Sequence, residues 1–366
     1  MAQNRDLGVE LARAVGIFLV VFGHAGFPWP LEKAIYSMHM PFFFLLSGFV
    51  SKELSVGKTL LVKSKTLLIP YLVVFSFLWL FWGPGLLDGI DAWWLFCHDL
   101  LSAGRPDSIK FNSPLWFLPC LWSIFVIEAL FRAMFSERRL LAWTFLAFLS
   151  VVFTIFIQPA NASWSFRIAT AISCSPFFVL GKLVRNMSNP LNVQLKPEKN
   201  YFVDSSGCIW KLYIAILFAL IWILVTIVDR NYYYVISHDK YGFVLFFYIR
   251  GASGSLALFI FLRFLIFVFN DGYYLLKKIV IFVAHHSMFI YLFHKPLVIY
   301  FNYVVNSQLF FYLPKYIFLS SLGLIVPALF SFSMNLLIPR VHSIITGGRT
   351  IITDSSIGRN YVRREL

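Results

Sequence analysis

Long apolar runs recur along this chain so often that no water-soluble core could absorb them. Runs of about 18 residues or more, the length that crosses the hydrocarbon layer of a bilayer, fall at about 7–27, 34–51, 66–86, 115–135, 140–158, 166–185, 211–229, 242–269, 279–301 and 316–338. The eighth is long enough to tilt strongly or to break near Gly251 and Gly254. In lipid every backbone polar group must be satisfied internally, so such runs become helices. The expected fold is therefore an all-α polytopic integral membrane protein with about ten transmembrane helices. With 59% of residues hydrophobic and 13% charged, a soluble globular domain is excluded. Glu10 and Arg13 lie inside the first run, which marks it as a spanning helix rather than a cleavable signal.

The net charge of +14 is unevenly placed. Lys and Arg cluster at Lys52 to Lys65, Arg132 to Arg139, Lys182 to Lys211, Arg263 to Lys278 and Arg340 to Arg364. Those positions share one side of a ten-span arrangement, and the positive-inside rule puts both termini in the cytoplasm. Such residues flank spans and face anionic headgroups, so the lipid bilayer accounts for the charge and nucleic acid does not. The chain reads as a single membrane domain over 1–340, followed by a cytoplasmic tail over 341–366. The longest polar connections, about 87–114 outside and 186–210 inside, are too short for a separate domain of ordinary size. Cys97, Cys120, Cys174 and Cys208 have neither paired nor metal-ligand spacing, so no metal and no disulfide is expected.

Ionisable residues inside spans are costly and usually face a partner or a cavity. Here they are Arg13, His24, His39, Glu128, Arg250, His285, His286 and His294. Arg13 and His24 stand out because they are eleven positions apart. On an α-helix that is about 1,100° of rotation and roughly 16.5 Å of rise, so both lie on one face. A cation near the membrane edge and an imidazole half a bilayer deeper suit a long anionic molecule reaching a reaction centre. An imidazole titrates near neutrality and can take and return a proton within one turnover. The plainer readings are a hydrogen-bonded core histidine for His24 and, for Arg13, an interfacial cation or a partner for Glu10.

His39 opens the segment His39-Met-Pro41-Phe-Phe-Phe-Leu-Leu-Ser47-Gly48, where Pro41 favours a first turn or a kink. Ser47-Gly48 permits close helix approach, and Ser47 reads as a packing residue. Lys63 and Lys65 precede Pro70-Tyr71 and read first as cytoplasmic anchors, with room to help hold an anion. Trp116 opens the fourth span at the outer interface, and His294 lies within the ninth. Arg250 has three readings: it lines a cavity, pairs with Glu128, or snorkels to the interface.

Together these pieces resemble the membrane-bound acyltransferase-3 family, in particular its group related to fucose 4-O-acetylase and polysaccharide O-acetyltransferases. Glu10-Leu-Ala-Arg13-Ala14 through Gly23-His24 is similar to the family's opening Asp-x-x-Arg-Gly and Gly-His. His39 to Gly48 matches its His-Met-Pro-Phe-Phe-Phe segment almost letter for letter. The basic stretch before Pro70-Tyr71, Leu115 to Leu118, and Ser287, Tyr291 and His294 follow in the family's order. The chain departs from the pattern at Glu10 for Asp, at Ala14 and Ala284 for Gly, and at Phe243, after Tyr241-Gly242, for Asn.

The resemblance implies an O-acetyltransferase of the bacterial cytoplasmic membrane. It would move an acetyl or short acyl group from cytoplasmic acetyl-CoA or another acyl-CoA to a carbohydrate hydroxyl, as on a surface polysaccharide or its lipid-linked precursor. His24 and Arg13 would be catalytic, with Arg13, Lys63 and Lys65 holding the donor. Glu10, His39, Ser47, Trp116 and His294 would support or line the pocket. A transporter or flippase for a glycan or an acylated small molecule fits the composition equally. Against it stand the lack of an internal repeat and the Arg–His pair on one helix.

Overall fold

The computed structural model describes residues 6–27, 29–82, 90–102, 112–136, 138–157, 165–188, 205–229, 243–268, 273–304 and 312–348, and among these no strand occurs. Helices α1 (Leu7–Gly23) and α2 (Trp29–Val50) form a hairpin, and α3 (Val56–Lys63) continues through a π-helical turn (Ser64–Leu68) into α4 (Ile69–Trp82). Then come α5 (Ile90–Ser102) and a 3-10 turn (Ser113–Trp116) that leads into α6 (Phe117–Met134). The chain goes on through α7 (Arg139–Ile157), α8 (Ile168–Ser188), α9 (Ser205–Val228), α10 (Val244–Val268), α11 (Tyr274–Val304), α12 (Tyr312–Leu337) and α13 (Pro339–Ile345). Among the described residues, eight helices are long and apolar enough to cross a membrane, with α3 and α4 counted as one. The 17-residue α1 and the more polar α2 occupy the first two positions expected of spans.

The short helices α3, α5 and α13 were not anticipated. Part of the stretch read as an outer connection forms α5, whose Phe96 ring packs on Phe75 and Trp79 at 5.6 and 5.2 Å. Tyr71 Oη donates to its Leu100 carbonyl at 2.8 Å. Trp93 and Trp94 on the same helix point outward, as indoles do at a membrane interface. At the other end of the chain α13 is docked by His342, whose Nε2 is hydrogen-bonded to Ser331 Oγ of α12 at 2.9 Å. Tyr241, Gly242 and residues 349–366 lie outside the described residues. Phe243, just before α10, has its ring exposed against Phe246.

Capping and small residues set the arrangement around α1. Asp6 caps it, accepting from Gly8 N at 2.9 Å and Val9 N at 3.3 Å, which satisfies amides left free in the first turn. Ala14 of α1 packs with Val280 and Ala284 of α11, and ten positions further along each helix His24 meets His294. The helices therefore run parallel in constant register. Ala14 and Ala284, the two positions where the family pattern has Gly, touch the same contact. Gly48 and Gly181 let α2 and α8 cross at backbone distance: a Cβ on either would strike a carbonyl, of Phe178 or Leu45. That bears out the close approach expected at Ser47-Gly48.

A charge network locks the end of the bundle at which α1 begins. Glu128 Oε1 accepts from Arg132 Nε at 2.8 Å and Trp143 Nε1 at 3.0 Å, with Lys182 Nζ 3.7 Å away. Arg132 Nη2 also donates to the Leu54 carbonyl at 2.6 Å, and Arg185 donates to the Ser51 carbonyl. Arg139 pairs with Glu53 at 3.0 Å. The loop between α2 and α3 is thus strapped to α6, α7 and α8. Glu128 is consumed by this clamp, which leaves the sequence's suggested Arg250–Glu128 pair unformed. Arg250 instead pairs with Asp229 at 3.3 Å, both side chains 2% exposed, and Lys33 Nζ donates to the Asp229 carbonyl at 2.7 Å.

Candidate active site

His24 follows the last residue of α1 and keeps helical geometry (φ −89°, ψ −1°), with its amide still bonded into the α1 ladder. The register with Arg13 therefore holds to the end of the helix. Its Nδ1 is hydrogen-bonded to Tyr36 Oη of α2 at 3.0 Å. The ring centroids of His294 and His24 lie 5.3 Å apart, those of His24 and Tyr36 5.8 Å, and those of Tyr36 and His39 5.0 Å. Helices α1, α2 and α11 thus bring three imidazoles and a phenol into one row.

Two of these imidazoles have a fixed tautomer. His39 Nδ1 sits 2.9 Å from the Ile35 carbonyl, and His294 Nδ1 sits 2.8 Å from the Tyr291 and 3.1 Å from the Ile290 carbonyl. A carbonyl can only accept, so Nδ1 carries the hydrogen in both and Nε2 presents a lone pair. Both residues are buried. His294 Nε2 has no hydrogen-bond partner among the described residues.

The 3-10 turn before α6 forms a wall beside this row, and proline explains how. Pro296 inside α11 has no N–H to give the carbonyl four residues earlier. That carbonyl, of Leu292, accepts instead from Asn112 Nδ2 at 2.9 Å. Lys295 Nζ donates to Ser113 Oγ, and Tyr291 Oη donates to the Pro114 carbonyl. Trp116 is buried at the end of this turn, and Phe117 next to it is 5.7 Å from Tyr291 by ring centroids, which in turn is 6.3 Å from His294. Arg167 lies over the Trp116 ring at 5.8 Å. It and Phe166 take up left-handed backbone (φ 56° and 53°), a conformation that costs a non-glycine residue energy.

Of the residues singled out in the sequence, His24, His39, His294 and Trp116 are gathered here. Arg13 lies along α1 toward its start, its Nη1 3.3 Å from Glu10 Oε1, with the side chain 33% exposed. Ser47 lies two turns past His39 at the α2–α8 crossing and not in the row. Lys63 and Lys65 stand on another wall. Lys63 Nζ is 3.8 Å from the centre of the Phe125 ring. Lys65 is exposed on the π-helical turn, a feature frequent at functional sites. Tyr36 and Asn112 were missed. Tyr36 is three positions before His39, on one helix face with it, which was the available signal. The signal for Asn112 was Pro296, which implied an uncapped carbonyl. His285 and His286 are not in the row; His286 Nδ1 bonds Ser331 Oγ at 2.7 Å, toward α13. Among the described residues no cluster of His, Cys, Asp and Glu has the geometry to hold a metal ion.

Comparison with known proteins places this geometry in context. A family profile described as "Acyltransferase domain" matches residues 6–332. Nodulation protein NolL of Mesorhizobium japonicum is 26% identical over 157 residues, which cover 38% of this chain and 39% of that protein. The chain thus aligns with well under half of that relative's length. No solved structure matches.

Proposed function

The chain belongs to the membrane-bound acyltransferase-3 family, and from that premise we propose that it transfers an acetyl or short acyl group from cytoplasmic acyl-CoA to a carbohydrate hydroxyl. The acceptor would be a surface or exported polysaccharide, or its lipid-linked precursor, at a bacterial cytoplasmic membrane. The catalytic unit would be residues 1–340, with both termini and the 341–366 tail in the cytoplasm. One observation carries the reading: His24, tied through Nδ1 to Tyr36 Oη, shares a face of α1 with Arg13 at roughly 16.5 Å of helix rise.

In this mechanism acyl-CoA enters beside Arg13, whose guanidinium meets its phosphates while Glu10 holds one edge. Arg13 has donors for both, since a guanidinium carries five. Lys63 and Lys65 add positive charge at that end. The pantetheine arm runs along α1 and brings the thioester to His24. With His24 Nδ1–H donating to Tyr36 Oη, Nε2 is the base. The acceptor oxygen bonds to the thioester carbonyl carbon as its proton passes to His24 Nε2. The tetrahedral intermediate then collapses: the C–S bond breaks, and the departing thiolate takes the proton from the imidazolium. The products are an O-acyl sugar and CoA thiol. His39, His294 and Trp116 shape the acceptor side, and Ser47 supports it through the α2–α8 crossing.

Arg13→Ala tests the donor half. A lost hydrogen bond to a charged group is worth about 1.5–3 kcal/mol, so the KM for acetyl-CoA should rise by about ten- to a hundredfold. The KM for the acceptor should stay unchanged. An unchanged acetyl-CoA KM with a lower kcat would remove Arg13 from donor binding.

A further inference from the structure

Asn112 and His294 each end in an acceptor atom that is unmatched among the described residues. Both residues are fully buried, and neither Asn112 Oδ1 nor His294 Nε2 has a hydrogen-bond partner among the described residues. Each atom is held in place by the hydrogen bonds of the rest of its own side chain. The Asn112 amide is oriented by its Nδ2 donating to the Leu292 carbonyl that Pro296 leaves uncapped. The His294 ring is oriented by its Nδ1–H donating to the Tyr291 and Ile290 carbonyls. Lys295–Ser113 and Tyr291–Pro114 fasten the two segments together, so the spacing of the two atoms is fixed as well.

A buried acceptor without a donor costs about 1–3 kcal/mol. Two on adjoining segments, beside the imidazole proposed as base, suit a ligand that brings hydrogens rather than lone pairs. An anion or a carbonyl compound cannot do this; a molecule with several hydroxyl groups can. We infer that Asn112 Oδ1 and His294 Nε2 form a subsite that accepts hydrogen bonds from hydroxyls next to the one acylated, so that the acceptor is recognised as a polyol. This rests on the transfer reaction proposed above and narrows its acceptor: the sugar must carry a free hydroxyl vicinal to the reacting one.

The test uses the purified full-length protein in lipid nanodiscs, labelled acetyl-CoA, and methyl hexopyranosides as acceptors. In the panel each hydroxyl in turn is present, replaced by hydrogen, or methylated. On the glycoside that takes most label, replacing the vicinal hydroxyl should lower kcat/KM at least about tenfold, because a site built around a hydroxyl rejects the analogue lacking it. Asn112→Ala should lose that discrimination and keep its KM for acetyl-CoA. The wild-type panel stands without the variant, so misfolding of Asn112→Ala leaves the test intact. Transfer that is indifferent to the vicinal hydroxyl would overturn the subsite and leave the transfer reaction standing. Label reaching no glycoside at all would overturn both.

Discussion

Replacing His24 by alanine should lower acyl transfer by about 10²–10⁴-fold, the range a positioned general base supplies, with little change in the KM for acyl-CoA. The substitution also removes the ring that lies between His294 and Tyr36. Tyr36→Phe separates chemistry from packing at the same place. Phenylalanine keeps the ring against His24 and His39 and removes only the oxygen bonded to His24 Nδ1. One hydrogen bond of about 1.4 kcal/mol corresponds to about a tenfold fall in kcat. Single-turnover transfer of labelled acetyl groups by the two variants distinguishes the roles. Loss in His24→Ala with none in Tyr36→Phe would make Tyr36 a packing residue, and full activity in His24→Ala would dismiss His24 as the base.

The second large effect concerns folding. Glu128 is the one carboxylate against which Arg132, Trp143 and Lys182 converge. Glu128 and Lys182 side chains are 3% and 2% exposed. Removing one partner of a buried pair leaves the other charge uncompensated, at a cost of about 3–5 kcal/mol. Glu128→Ala should therefore unfold well below the wild-type temperature in detergent, followed by tryptophan fluorescence. Adding Lys182→Met should restore much of the loss, since an apolar replacement of a buried pair is often neutral or better. If the single substitution leaves the melting temperature unchanged, the network does not clamp the loop between α2 and α3.

The sequence made the site legible wherever helix periodicity alone decided it. Arg13 and His24 share a face because α1 is regular and His24 continues its geometry. His39 and His294 drew notice because polar groups in apolar helices need a reason. Tyr36 stayed hidden, because a tyrosine near a membrane edge is expected from interfacial preference alone. Its role depends on the turn that folds α2 back on α1. Asn112 was harder still: its partner is a carbonyl 180 positions away, exposed only by a proline in another helix. Charge pairing misled for a similar reason. Arg250 and Glu128 looked like complementary residues in spans, yet Asp229, at the end of α9, is closer to Arg250 in the fold. Helix α5 was missed because its exposed indoles and short length make its composition that of a connection. The alanines at 14 and 284 read as separate departures from the family pattern, and the parallel register of α1 and α11 makes them neighbours.

The most direct measurement is the fate of the acetyl group. Membranes carrying the wild-type chain are given acetyl-CoA labelled in the acetyl carbon together with a polysaccharide or methyl glycoside acceptor, and the product is treated with mild alkali. Label is expected in the carbohydrate fraction, released by alkali as acetate as an O-ester requires, and absent when His24 is alanine. Label that never enters carbohydrate, or that enters it equally in His24→Ala membranes, would contradict His24-dependent acyl transfer.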